Sequence, residues 1–152
     1  MSKTSFWGIG SLLLVAWCFM ATTHGNEVGP SLSAIHPRVF ELVECWISDT
    51  EQPVVTEINL DAVAANRNQF DPAPVKKNGE WIEYTNEKGR GFKRFRELKT
   101  SNGRSAVEYQ SNDGGTLTTA SVIEFSIERR EIQKDGRPMT VRVLRVASIA
   151  TR

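Results

Sequence analysis

The run Ile123-Glu124-Phe125-Ser126-Ile127-Glu128-Arg129-Arg130-Glu131-Ile132-Gln133-Lys134 leads into Asp135-Gly136, and Arg137-Pro138-Met139-Thr140-Val141-Arg142-Val143-Leu144-Arg145-Val146 follows. Asp-Gly is a favoured centre for a two-residue type I′ turn, whose twist suits two antiparallel strands. A turn centred there sets Lys134 opposite Arg137 and brings Ile127 opposite Leu144, Phe125 opposite Val146 and Ile123 opposite Ser148. A slip of one residue would carry that apolar set to the other face, so the register is specified. Pro138 then falls opposite Gln133 in a non-hydrogen-bonded pair, where its missing N–H costs the hairpin nothing but weakens pairing on the outer side. The reverse face sets Val141, Val143, Ala147 and Ile149 across from Arg130, Glu128, Glu124 and Val122. That face is too apolar to be fully wet and too charged to be fully buried. Two strands of roughly 12 residues are long for a flat sheet, and strong curling reconciles both facts.

Working back toward the N-terminus, short alternating runs are punctuated by turn residues. Arg104–Gln110 precedes Ser111-Asn112-Asp113-Gly114-Gly115, Phe92–Lys99 ends at Thr100-Ser101-Asn102-Gly103, and Glu80–Thr85 ends at Asn86-Glu87-Lys88-Gly89-Arg90-Gly91. This is the pattern of an antiparallel meander. Phe70-Asp71-Pro72-Ala73-Pro74-Val75-Lys76-Lys77-Asn78-Gly79 reads as a proline-rich crossover. Pro53–Leu60 reads as a strand, and Asp61–Asn68 as a short helix capped by Asn59 or Asp61. Arg38–Ser48 is open between the two states: its glutamates permit a helix, while its β-branched and aromatic residues favour a strand. The expected fold is α+β, mainly β: a curled antiparallel meander of about five to seven strands with one short helix.

The first 25 residues are expected to direct export. Lys3 supplies a positive start, the apolar run Phe6–Ala21 follows, and Thr22-Thr23-His24-Gly25 closes with small or polar residues. As a helix that run is about 24 Å long, short of the about 30 Å hydrocarbon core, so a cleaved signal peptide (1–25) fits better than an anchor. Cleavage fits after Gly25 or after Thr23. Lipoprotein processing at Cys18 is disfavoured, because Trp17 stands where a small residue is wanted. The remainder, 26–152, is expected to be a single β-rich domain, exported to a periplasmic or extracellular setting and without a membrane span. It would keep Cys45 alone, which cannot form an internal disulfide. Val43-Glu44-Cys45-Trp46-Ile47 fits burial of that thiol as a small hydrophobe, and pairing between chains is the other outcome.

Charge is almost balanced, at 19 basic and 18 acidic side chains. From Asn26 to Val75 there are two basic and eight acidic residues, and from Lys76 onward 16 basic and 10 acidic. Such asymmetry marks either a polyanion-binding face or two halves that attract one another within one fold.

Few chemistries have the residues they need. After cleavage at Gly25, His36 is the one histidine, and a terminal His-Pro is poorly placed for a nucleophilic triad. One cysteine and one histidine fall short of a zinc site, and Asn112-Asp113-Gly114-Gly115 offers one carboxylate where calcium wants several. Gly114-Gly115 lacks the surroundings of a phosphate loop. Glu124 and Glu128 share a sheet face, as a glycosidase pair would, but a solvated or ion-paired face explains them with Arg130 and Arg145 as neighbours. No cofactor or metal is expected.

The cations of Lys88, Arg90, Lys93, Arg94, Arg96 and Lys99, interleaved with Phe92 and Phe95, form the candidate binding site. Cations meet backbone phosphate and rings offer stacking surfaces in proteins that hold anionic polymers. Alternation divides them, however: Arg94 and Arg96 share a face with Phe92 and Leu98, while Lys93 and Lys99 fall with Phe95 and Glu97. An edge hairpin kept soluble by its cations is the competing explanation. The expectation is an exported, non-catalytic binding or accessory module contacting an anionic polymer or an envelope protein. The alternative is a small-ligand carrier or weak enzyme with a cavity on the curled sheet.

Overall fold

Seven antiparallel strands form one unclosed, curled sheet that holds 55% of the described residues. The computed structural model describes residues 31–43, 55–86, 89–100 and 104–152; the expected signal peptide, Cys45, Lys88 and Asn102-Gly103 lie outside them. A 3-10 turn, Leu32–Ala34, and a single helical turn, α1 (Arg38–Glu41), come first. Strand β1 (Glu57–Asn59) and helix α2 (Leu60–Ala65) follow. The meander then runs β2 (Val75–Asn78), β3 (Trp81–Thr85), β4 (Phe92–Leu98), β5 (Ser105–Asn112), β6 (Thr119–Lys134) and β7 (Arg137–Thr151). Each pairs with the next, and β1 closes the far side against β7, giving the order β1-β7-β6-β5-β4-β3-β2.

The core lies between the sheet's inner face and the N-terminal segment. Phe40 is fully buried, with ring centroids 5.0 Å from Phe95, 5.6 Å from Phe125 and 6.0 Å from Tyr109. Leu32, Ile35, Val39 and Val43 join it from the same segment, and Ile58, Leu60 and Phe70 from the elements that follow. The helical alternative therefore holds for Arg38–Glu41, while 44–48 lie outside the described residues: Pro37 starts the turn, and His36 Nδ1 accepts from the Arg38 N–H. Helix α2 is capped by Asn59, whose Oδ1 accepts from the N–H groups of Asp61 and Ala62 at 3.1 and 3.0 Å. It ends at Ala65 rather than Asn68, since the Asn66 N–H closes back on the Val63 carbonyl.

The β6–β7 hairpin turns at Asp135-Gly136, both at positive φ as a type I′ turn requires. Lys134↔Arg137, Ile127↔Leu144 and Phe125↔Val146 pair as the sequence implies. Beyond Phe125 the register shifts: Glu124 pairs with Ser148 and Ile123 with Ile149, not with Ser148. The extra residue, Ala147, is a bulge that rotates Ile149 onto the core beside Ile123 and adds local twist.

Residues 70–79 are not merely a crossover. Val75–Asn78 forms edge strand β2, paired to β3 through a turn with Gly79 at φ 61°. Its prolines stand before the strand, and its exposed Lys76 and Lys77 guard a sheet edge.

The acidic and basic halves meet within this fold. Asp61 holds Arg142, Glu57 holds Arg130 and Arg145, and Glu41 reaches Lys93. The charge asymmetry is thus used at least partly inside the molecule.

Candidate functional site

Strand β4 carries the basic stretch, and the sheet divides it as alternation demands. On the inner face Lys93 is buried, its Nζ donating to Ser111 Oγ at 2.6 Å and Asp113 Oδ1 at 2.7 Å, with Glu41 Oε1 at 3.5 Å. On the outer face Arg94 donates from Nε and Nη2 to Gln110 Oε1 and lies 3.5 Å from Glu83. Its guanidinium stacks 4.5 Å from the Trp81 ring centre and 4.6 Å from that of Phe92. Arg96 binds Glu108 Oε2 through Nε and Nη2 at 3.0 and 2.7 Å, reaches Glu80, and lies 5.0 Å from Trp81. That bond to Arg96 is the chief reason the Glu108 carboxyl sits below its ordinary range, and it raises Arg96 in turn.

Arg90 is exposed in the β3–β4 turn and Lys99 is exposed just past the other end of β4. Nine residues of extended chain part them, about 30 Å. The structure therefore brings Arg94 and Arg96 together on one face, turns Lys93 to the other and leaves Arg90 and Lys99 at opposite ends. The carboxylates that hold the middle three come from β3, β5, their turns and α1. A cation already neutralised this way releases little when it meets a polyanion.

His36 lines the second candidate, a cavity of about 200 Å³ between the N-terminal segment, α2 and the loop after Phe70. Its walls are mostly apolar, among them Ile35, Val39, Leu60, Val63 and Phe70, with Arg142 at one side. His36 Nδ1 accepts from the Arg38 N–H at 3.2 Å, and Nε2 lies 3.3 Å from the Asp71 carbonyl. An acceptor role at Nδ1 and a carbonyl at Nε2 define the neutral Nε2–H tautomer. Burial keeps the ring below its ordinary pKa, opposed by the Asp71 bond. Nδ1 thus serves the α1 turn and Nε2 ties the N-terminal segment to the loop after Phe70, with the ring packed on Phe70 and Tyr84.

The Glu124–Glu128 pair does share the outer face: Glu124 lies 3.8 Å from Arg104 and Glu128 bonds Ser126 Oγ. Arg130 is taken by Glu57 in a two-pronged bond at 2.8 and 3.0 Å. Among the described residues no group of three or more metal-ligating side chains converges, and no helix is long and apolar enough to cross a membrane.

A third feature was not singled out from the sequence. Pairing of β5 with β6 ends at Ser105↔Phe125, and β1 meets β7 only from Val143 to Arg145. From Glu128 to Lys134, and back from Arg137 to Thr140, the hairpin continues as an exposed two-stranded ribbon, about 20 Å beyond the sheet. In a type I′ hairpin Lys134 and Arg137 exchange hydrogen bonds, so the odd-numbered positions of β6 direct their N–H and C=O groups away from β7. On the β7 edge the corresponding positions are Pro138, which has no N–H, Thr140, and Arg142, whose N–H donates to Asp61 Oδ2 at 2.7 Å. The sequence signal was Glu128-Arg129-Arg130-Glu131, a strand with charge on both faces, although Val141 and Val143 across from Arg130 and Glu128 are buried.

Comparison with known protein families, curated proteins and solved structures finds no match to this chain.

Proposed function

We propose that this protein is an exported, non-catalytic binding module that docks a protein partner by adding a strand to the Ser126–Lys134 edge of its ribbon. One observation carries the reading: a two-stranded ribbon stands clear of the sheet with one edge closed by Pro138 and Asp61 and no described strand along the other. Isolated two-stranded ribbons are marginal in water, and an unprotected edge is a template for strand addition. An anionic polymer has less support, since Lys93, Arg94 and Arg96 each already face a carboxylate. Photo-crosslinkers placed at Gln133 and at Thr140 in producing cells test the reading. Adducts at Gln133 and none at Thr140 are expected; absence at both positions overturns it. Retention of the protein on heparin to moderate salt, lost on changing Lys93, Arg94 and Arg96 to Ser, would move the assignment to anionic polymers.

A second reading, a carrier of a small apolar ligand, has the cavity beside His36 in its favour. A dry apolar cavity of about 150 Å³ accepts benzene, so about 200 Å³ admits a ligand of one ring or a short acyl chain.

A further inference from the structure

Resting on the docking reading, we infer that the occupant of the β6 edge is a second copy of this chain, paired antiparallel about a two-fold axis at Arg130. Every other edge of the sheet carries a defence. Strand β2 is short and bears Lys76 and Lys77, β1 is three residues long, and the ribbon's β7 edge has Pro138 and the Asp61 bond to the Arg142 N–H. From Ser126 to Lys134 there is no proline, no bulge and no described strand on the side away from β7.

The side chains along this edge suit a copy of themselves. A two-fold axis perpendicular to the sheet keeps each residue on its own face, so a residue meets itself or one an even number of positions away. With Arg130 on the axis, Arg129 faces Glu131 of the second copy and Glu131 faces Arg129 of it. Ile127 then faces Gln133 of the second copy, and Glu128 faces Ile132 of it. The hydrogen-bonded pairs fall at the odd positions, which are those whose backbone groups point outward. A guanidinium has five N–H donors, so Arg129 serves the second copy's Glu131 whatever else it holds. Arg130 meets itself on the axis, and there the like charges are each neutralised by their own Glu57, at 2.8 and 3.0 Å. Neighbouring registers are worse: an axis at Glu131 sets that carboxylate against itself, and an axis at Arg129 sets its guanidinium against itself in the hydrogen-bonded row. Opposite charges directly across a sheet stabilise it and like charges oppose it.

The test uses protein made from the full reading frame, first unaltered and then with Cys18 and Cys45 changed to Ser for cross-linking. Sedimentation equilibrium is expected to show an apparent mass that rises with concentration to twice the monomer's. Glu131→Arg, an exposed change that leaves the fold alone, is expected to weaken the dimer by about tenfold or more through two like-charge contacts. Arg130→Cys is expected to form a disulfide dimer under mild oxidation, because a non-hydrogen-bonded pair brings Cα atoms to about 4.5 Å; Glu131→Cys is not. Cross-linking through Glu131→Cys in place of Arg130→Cys would overturn the register. A protein monomeric at all concentrations, with fast amide exchange at Ile127, Glu131 and Gln133, would overturn self-pairing while leaving the edge open to another protein. Slow exchange of those amides in a monomer would overturn both readings, since the chain itself would then cover the edge.

Discussion

The two ends of the β6–β7 hairpin share one register and one pair of strands, yet they are held by different forces. At the base, Ile123, Phe125 and Leu144 are fully buried under Phe40. In the ribbon, Glu128 to Thr140 is exposed except for the half-buried Ile132, and order there depends on cross-strand hydrogen bonds, the Asp135-Gly136 turn and anchors at Glu57 and Asp61. Apolar burial scales with area and is cooperative with the whole core, whereas each pair in a solvated ribbon adds a fraction of a kcal/mol. One continuous hairpin can therefore have a base that melts with the protein and a tip that opens alone.

The strongest way to break this contrast is at the base. Phe40→Ala removes a fully buried ring that touches three strands, and its expected cost is about 3–5 kcal/mol, the range for buried phenylalanines. Urea unfolding followed by tryptophan fluorescence should show the midpoint fall sharply. An unchanged midpoint would mean that the N-terminal segment does not cover the sheet.

Legibility in the sequence follows the same division. Asp135-Gly136 and the alternation beside it dictate pairing as far as Phe125↔Val146, because turn type and apolar face agree. The bulge at Ala147 left no mark, since a small residue in an alternating strand looks the same whether paired or extra; only the demand to bury Ile149 beside Ile123 reveals it. Strand β2 was hidden because Pro72 and Pro74 announce a breaker and Val75-Lys76-Lys77-Asn78 has a single apolar residue, as a guarded edge strand does. For the candidate site, the cations and their division between two faces were legible. Their partners were not: Glu83 and Glu108 lie on neighbouring strands, so the pairing exists only once the register does.

A smaller effect is expected at the junction, where Asp61 ties α2 to the ribbon's foot. Its oxygens accept from the Arg142 N–H at 2.7 Å and from Nε and Nη2 at 2.8 and 2.6 Å. Arg142 accordingly holds the carboxyl below its ordinary 3.8. A carboxyl that ionises more readily folded than unfolded contributes stability above about pH 4, lost as pH falls toward its folded value. Side-chain exposures of 37% and 39% let water screen the pair, so Asp61→Asn should cost about 1 kcal/mol at pH 7. At pH 3 the wild type should have lost part of that advantage and the two thermal midpoints should approach each other. A gap that widens on acidification would contradict the assignment.

The smallest global effect should come from the tip, and it sharpens the contrast most. Gly136 stands at φ 73°, with nothing within 4 Å of where a Cβ would be. Space is therefore not the constraint in Gly136→Ala; the left-handed backbone is, at about 1–2 kcal/mol for an L-residue. If the ribbon folded as one with the base, that cost would appear in the global unfolding free energy. Because the ribbon beyond Val141 is exposed apart from Ile132, that tip can open without the base, and the substitution shifts only that local equilibrium. Urea midpoints should thus stay almost unchanged, while even-numbered amides from Glu128 to Lys134, which bond within the hairpin, exchange about five- to thirtyfold faster. Amides of Val107, Ile123 and Leu144 should keep their protection. Were their exchange to quicken in step with the tip, base and ribbon would be one cooperative unit, and the edge of β6 would be supported from within the fold rather than held out for a partner.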